Sequence, residues 1–87
     1  MINIDHSLLN HECISSLWKS KIHTRWFLEN EVDFKNVKTV DSSAVAFLIK
    51  WVKACKQRNE DLVCYNVPQQ LTQLINIYNV TNYIKIK

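Results

Sequence analysis

The chain opens with a period of two. Ile2 and Ile4 alternate with Asn3 and Asp5, which predicts a short strand. The period then lengthens. Cys13, Ile14, Leu17, Trp18 and Ile22 recur at helical spacing, with Asn10 placed to cap and Glu12 in the first turn, so a helix is predicted over 11–23. Trp26, Phe27 and Leu28 either finish that helix or cover the core from a loop. Val32-Asp33-Phe34 predicts a second strand, and Val37 and Val40 carry the apolar signal onward. Asp41 and Ser42 are both good N-caps for the apolar run after them, and a helix is predicted over 42–58. Lys56 and Arg58 suit its negative end, and Asn59 can take the left-handed turn that usually falls to glycine. Leu62 to Tyr65 reads as a buried strand. Asn66-Val67-Pro68 opens another helix, with Pro68 at or near its first turn and a core stripe of Leu71, Leu74, Ile75 and Tyr78; Asn79 ends it. Tyr83 to Lys87 alternates again, with Ile84 and Ile86 on one face, as a terminal edge strand guarded by lysines.

The predicted order is β-α-β-α-β-α-β. In 87 residues this gives one α/β domain: a small sheet of about four strands with helices packed mainly on one face. Composition narrows the function. There is no glycine, so every phosphate-cradling loop built on glycine is excluded, and the turns must be made by Asn, Asp and Ser. Lys plus Arg number 11 and Asp plus Glu 8, a net charge of +3, but the cations are scattered and do not point to nucleic acid. No apolar run is long enough to span or insert in a membrane, and the first residues lack the charged and apolar regions of a signal peptide. A cytoplasmic location is the expectation.

Candidate chemistry is sparse. Cys13, Cys55 and Cys64 form no C-x-x-C pair and read as small buried hydrophobes. His6, His11 and His23 lack the spacing and the companions of a metal site. There is no carboxylate pair at a defined separation and no Ser-His-Asp spacing, and Asp41 beside Ser42 is not a base oriented by a third group. No catalytic residue, metal ligand or cofactor is expected, and the chain reads as a binding protein rather than an enzyme.

The informative element is the predicted helix 42–58. At 100° per residue, Ala44, Val45, Leu48, Trp51, Val52 and Cys55 share a face that belongs on the sheet. A second stripe runs from Ser42 through Ala46, Ile49, Lys50 and Lys53, smooth and half-apolar before the lysines begin. It is either a docking surface or a solvated face with Ile49 tucked under a loop. Ser42 also has two readings, of which local chemistry favours the cap. Its hydroxyl either caps the helix, or stands free at the positive helix end where a phosphate is welcome.

Val40-Asp41-Ser42-Ser43-Ala44-Val45 resembles the signature of STAS domains, in which a strand delivers Asp-Ser/Thr-small-Gly-Leu to the start of a helix. The elements on either side match that family in order and spacing over about residues 2 to 86. The resemblance implies a STAS-like (SpoIIAA-like) α/β fold. Ala44 stands where the family has glycine and Val45 where it has leucine. Only Ile2 to Ile4 are seen ahead of the first helix, where relatives often have two strands, so the sheet is expected to be one strand smaller or open at an edge. Within the family the chain is most similar to the small STAS subunits of Mla-type phospholipid-transport complexes of Gram-negative bacteria, through its short length, Leu17-Trp18 and Tyr78-Asn79-Val80. That resemblance implies a non-enzymatic subunit, peripheral to the inner membrane, that binds and supports an ABC-type ATPase. The contact would comprise Ser42, Ser43, Ala46, Ile49, Lys50 and Lys53, with Trp18 supporting or extending it. The sporulation-type relatives imply the alternative: an anti-sigma factor antagonist whose Ser42 is phosphorylated by an anti-sigma kinase.

Overall fold

The computed structural model describes residues 1–87, except for the side chain at position 81. Four strands form one parallel sheet: β1 (Ile2–Asn3), β3 (Glu31–Asp33), β5 (Leu62–Tyr65) and β6 (Ile84–Ile86), in that spatial order. The register pairs Ile2 with Val32, Val32 with Cys64 and Leu62 with Ile84. Each crossover moves to the next strand in the same direction. Parallel crossovers are right-handed almost without exception, so every connecting helix falls on the same face of the sheet. Burial agrees: Val32, Leu62, Cys64 and Ile84 are buried, while Glu31, Asp33, Val63 and Tyr65 on the opposite face stay half-exposed. The bare face is held by polar pairs, Tyr65 Oη donating to Glu31 Oε2 at 2.9 Å and Asn66 Nδ2 to Asp33 Oδ1 at 3.1 Å.

The helices are α1 (His11–Ser20), α2 (Ile22–Trp26), α3 (Ser42–Lys56) and α4 (Gln69–Ile77). The single helix predicted over 11–23 is therefore two. Lys21 takes a left-handed conformation (φ 61°) and donates its N–H to the Trp18 carbonyl, which closes α1. The Ser20 hydroxyl competes for the same turn by donating to the Leu17 carbonyl. The break turns the chain so that Trp26 enters the core and stacks on Trp51, with ring centroids 6.0 Å apart. Ile22, expected in the apolar stripe, is left exposed.

Helix α3 stops at Lys56, two residues earlier than predicted. Arg58 lies beyond it and folds back, its Nη1 donating to the Phe27 carbonyl at 2.8 Å. Asn59 has the expected positive φ, 59°. Helix α4 begins one residue after Pro68, whose ψ of 146° places it outside the helix as the cap. Tyr78, assigned to the core stripe, is instead the C-cap and half-exposed, because α4 ends at Ile77 before its last apolar position turns inward.

The expectation of a missing first strand is corrected. A second short strand, β2 (Leu8–Leu9), precedes α1 and pairs in parallel with β4 (Thr39–Val40), apart from the main sheet. Two-residue strands are too short to show a period, which is why Leu8-Leu9 gave no signal. The core lies between the sheet and the helices, and its most fully buried members are Trp51, Phe34, Leu62, Leu71 and Ile75. Among the described residues no polar or charged side chain is buried there.

Candidate functional site

Asp41 comes directly after strand β4, and its carboxylate ties two helix starts together. Its Oδ1 accepts the Ser43 N–H at 2.8 Å, capping α3. Its Oδ2 accepts the His11 N–H at 3.0 Å, so the same carboxylate also holds the start of α1. Asn10 Oδ1 caps α1 from within by accepting the Cys13 N–H at 3.0 Å. Gln70, at the start of α4, accepts the Val40 N–H at 3.3 Å. Three helix starts thus converge on one short strand, and anionic or carbonyl oxygens satisfy the amides that helix ends leave open.

This arrangement decides which residue caps α3. The capping alternative is overturned, because Asp41 has taken the cap and Ser42 is the first helical residue. Ser42 is exposed, and among the described residues its hydroxyl has no hydrogen-bond partner. It stands at the positive end of a helix of 15 residues. Ala44, in the place of the family glycine, is helical and buried, at a position with no positive φ. Glycine's conformational freedom is not needed there, and alanine favours the helix.

The second stripe of α3 is on the surface. Ser42, Ala46, Lys50 and Lys53 are exposed, and Ser43 and Ile49 are half-buried. Ser42, Ser43, Ala46 and Ile49 line one shallow depression of about 320 Å³, with Val45 beneath and Tyr78 beside them. Trp18 is not in it. It packs against Phe47 with ring centroids 4.9 Å apart and edge-on to His23 at 4.4 Å. Phe47 points 100° further round α3 than Ala46, so Trp18 buttresses the α1 side of the helix.

Sequence reasoning missed the other wall of the site. Ile49 is shared with a second apolar groove of about 540 Å³, lined also by Val52 of α3 and by Val80 and Tyr83 after α4. None of the three was read as functional: Tyr78 sat at helical spacing in the core stripe, Val80 followed the helix end, and Tyr83 was assigned to the terminal edge strand, whereas that strand begins only at Ile84. Their exposure depends on where α4 ends.

The electrostatics are one-sided. Lys50 and Lys53 have no ion-pair partner among the described residues. Lys56 pairs with Asp61 at 2.7 Å, and Lys85 reaches the same carboxylate at 3.2 Å. The Lys56 and Lys85 hydrogen bonds hold the Asp61 carboxyl below its ordinary range. Burial pushes the Cys64 thiol up to about 12 and also raises Cys55 and Cys13, so these thiols stay protonated at neutral pH. Among the described residues no helix is long and apolar enough to cross a membrane. The site offers a free hydroxyl, a smooth ridge and unpaired cations. That suits contact with another molecule.

Comparison with known proteins fits this description. A family model described as "Mlab, STAS domain" matches residues 23–86. No curated protein matches the chain. Among solved structures, a Thermotoga maritima protein described as an anti-sigma factor antagonist superposes with a TM-score of 0.74 at 13% identity, over 97% of this chain and 75% of that one. At that identity the likeness speaks for the fold. The family match spans most of the chain and includes the Asp41-Ser42 turn and all of α3, so the chain belongs to the STAS domain family.

Proposed function

We propose that this chain is a non-enzymatic STAS subunit that binds and supports the cytoplasmic ATPase of an ABC-type phospholipid-transport complex. STAS domains are binding and regulatory domains, and the observation that carries the reading here is the uncommitted Ser42. Asp41 does the capping, and Ser42 is left exposed at the head of a ridge in which Ile49 packs against the core while Ala46, Lys50 and Lys53 stay exposed. The description of the matching family model supports the transport branch. In this reading Ser42, Ser43, Ala46, Ile49, Lys50 and Lys53 meet the ATPase, and Trp18 stiffens α3 from behind through Phe47. The small side chains at 42, 43 and 46 let a partner backbone approach closely. The lysines complement acidic groups on the partner. The chain would then sit in the cytoplasm, held at the inner membrane by its partner.

The second reading, an anti-sigma factor antagonist switched at Ser42, is favoured by the Thermotoga maritima neighbour. A phosphate on Ser42 would add roughly −1.5 to −2 charge at a helix N-terminus and reverse the sign of the contact. The two readings separate in one experiment. The tagged chain is captured from its native cells, and both the co-purifying proteins and the Ser42 peptide are analysed by mass spectrometry. The transport reading expects an ABC ATPase with its permease and unmodified Ser42, and expects Ser42→Glu to reduce ATPase capture at least tenfold while the domain stays folded. An anti-sigma kinase, or phosphate on Ser42, transfers the protein to the second reading. Undiminished ATPase capture by a folded Ser42→Glu chain sinks the proposed contact.

A further inference from the structure

Strand β6 ends the main sheet on one side, and its outer edge is open. Its inner edge is bonded to β5 through alternate residues, with the Lys87 N–H donating to the Cys64 carbonyl at 2.9 Å. In a parallel pair the intervening residues turn their backbone groups the other way. The Ile84 carbonyl and both backbone groups of Ile86 therefore face outward, and among the described residues none of the three has a partner. The two faces beside this edge differ. Ile86 lies in register with Cys64 on the helix-covered face, yet it is 42% exposed, and Tyr83, just before β6, is 52% exposed. Lys85, in register with Val63, and Lys87 belong to the bare face. The opposite edge is poorer. Strand β1 has two residues, and because the Ile4 N–H donates to the Asp33 carbonyl, only Asn3 turns its backbone outward there.

We infer that β6 accepts an extended segment of another protein in which apolar residues alternate with acidic ones. The inference goes beyond the contact at α3, since β6 shares no residue with that ridge. Backbone chemistry selects a strand. A strand bonds to the N–H and the carbonyl of Ile86 together, whereas a helix is bonded within itself and leaves both to water. The faces select its side chains, because the residues of an added strand alternate between them. On the helix-covered face they meet Ile86 and Tyr83, which call for apolar partners. On the bare face they meet Lys85 and Lys87. Lys85 shares the Asp61 carboxylate with Lys56, at 3.2 and 2.7 Å, so two ammonium groups have one counter-charge. Lys87 has no ion-pair partner among the described residues. Acidic residues opposite this pair supply the missing sign. The same charges reject a second copy of the chain, since antiparallel pairing at Ile86 sets Lys85 opposite a lysine of that copy. Short length and lysines protect an edge strand from indiscriminate pairing, and they leave it open to a segment of opposite charge.

The test places a photo-cross-linker in the full chain in its native cells, as Tyr83→p-benzoylphenylalanine, and the cross-linked peptide is sequenced by mass spectrometry. The expected product is a peptide of another protein with apolar residues at i and i+2 and carboxylates at the positions between and after them. Two variants of the probe chain then separate backbone from charge, with the fold checked by circular dichroism. Ile86→Pro removes the outward N–H and spares the bonds to β5, because proline is tolerated in an edge strand where its nitrogen faces out. It should lower the yield at least fivefold. Lys87→Glu reverses an unpaired charge and should lower the yield at least threefold; where Ile86→Pro unfolds the chain, Lys87→Glu alone decides. An undiminished yield in either folded variant overturns the inference. So does a product with a second copy of this chain, with a lipid or with a peptide of helical period, and so does no product. Capture of the same peptide by Asn3→p-benzoylphenylalanine, at the opposite edge, overturns it as well.

Discussion

The two faces of α3 obey different rules. On one face Ala44, Val45, Leu48, Trp51, Val52 and Cys55 are buried to within a few per cent, and each meets the sheet or a neighbouring helix. On the other, Ser42, Ala46, Lys50 and Lys53 are exposed, and Ile49 is half-covered. The backbone between them is one continuous helix. The first face was settled by folding, and on the second only Ile49 packs against the core. A small domain has little surplus stability, so a half-apolar ridge kept at its surface points to contact with something else. The sheet repeats the lesson. Its helix-covered face is apolar, and its bare face carries Glu31, Asp33, Tyr65 and Lys85.

The sharpest way to break this comparison is to swap the consequences of mutation on the two faces. Trp51→Ala, on the buried face, removes a fully buried indole that stacks on Trp26 and donates to the Glu29 carbonyl at 2.9 Å. It should cost about 3–5 kcal/mol, a large part of the stability of a domain this size, read as a fall in the urea midpoint. Asp41→Ala acts where the two faces begin. It leaves the amides of Ser43 and His11 without their acceptor and should cost about 1–2 kcal/mol, whereas Ser42→Ala should leave the midpoint almost unmoved. A midpoint equally sensitive to both would show that Ser42 shares the capping role.

Acid probes the far end of the exposed face. The Asp61 carboxyl is held below its ordinary value of 3.8, chiefly by the Lys56 hydrogen bond. The unfolded chain therefore takes up this proton first as pH falls. The stabilisation is present at neutral pH, above the ordinary carboxylate value, and is lost as pH drops through the lower folded value. Denaturation midpoints taken between pH 7 and pH 3 should fall less steeply for Asp61→Asn than for the parent chain. Smallest of all should be Lys53→Glu. Its effect on the midpoint should stay within about 0.5 kcal/mol, because none of the described residues pairs with Lys53. Its effect on partner capture should be the larger one, and a variant that unfolds the domain while sparing capture would invert the comparison.

Much of the architecture was legible in order and type. The buried face of α3, the strands at 32, 62 and 84 and the left-handed Asn59 all come from period and local chemistry. The breaks did not. Lys21 splits the first helix because tertiary packing needs Trp26 in the core, and no local preference for a left-handed lysine announces that. Leu8-Leu9 became a strand because Thr39-Val40 lay beside it, a partner 31 residues away in register. Of the site, the ridge from Ser42 to Lys53 could be read from spacing, and its opposite wall could not. Trp18, which sequence left open as a support or extension of the ridge or as core, packs in the aromatic cluster around Phe47.

The sequence by itself determined which residues seek the core and which helix carries the signature, because hydrophobic period and capping chemistry are local. It left Ser42 with two roles, since Asp41 and Ser42 are equally competent caps. Only the tertiary structure decided between them. One carboxylate reaches two helix starts at once when β4 brings α1 and α3 together, and that double duty commits Asp41 and releases the serine. The apolar groove between Ile49 and Tyr83 was likewise decided in three dimensions. Its walls come from residues some thirty positions apart, and no period in the chain encodes the distance between them.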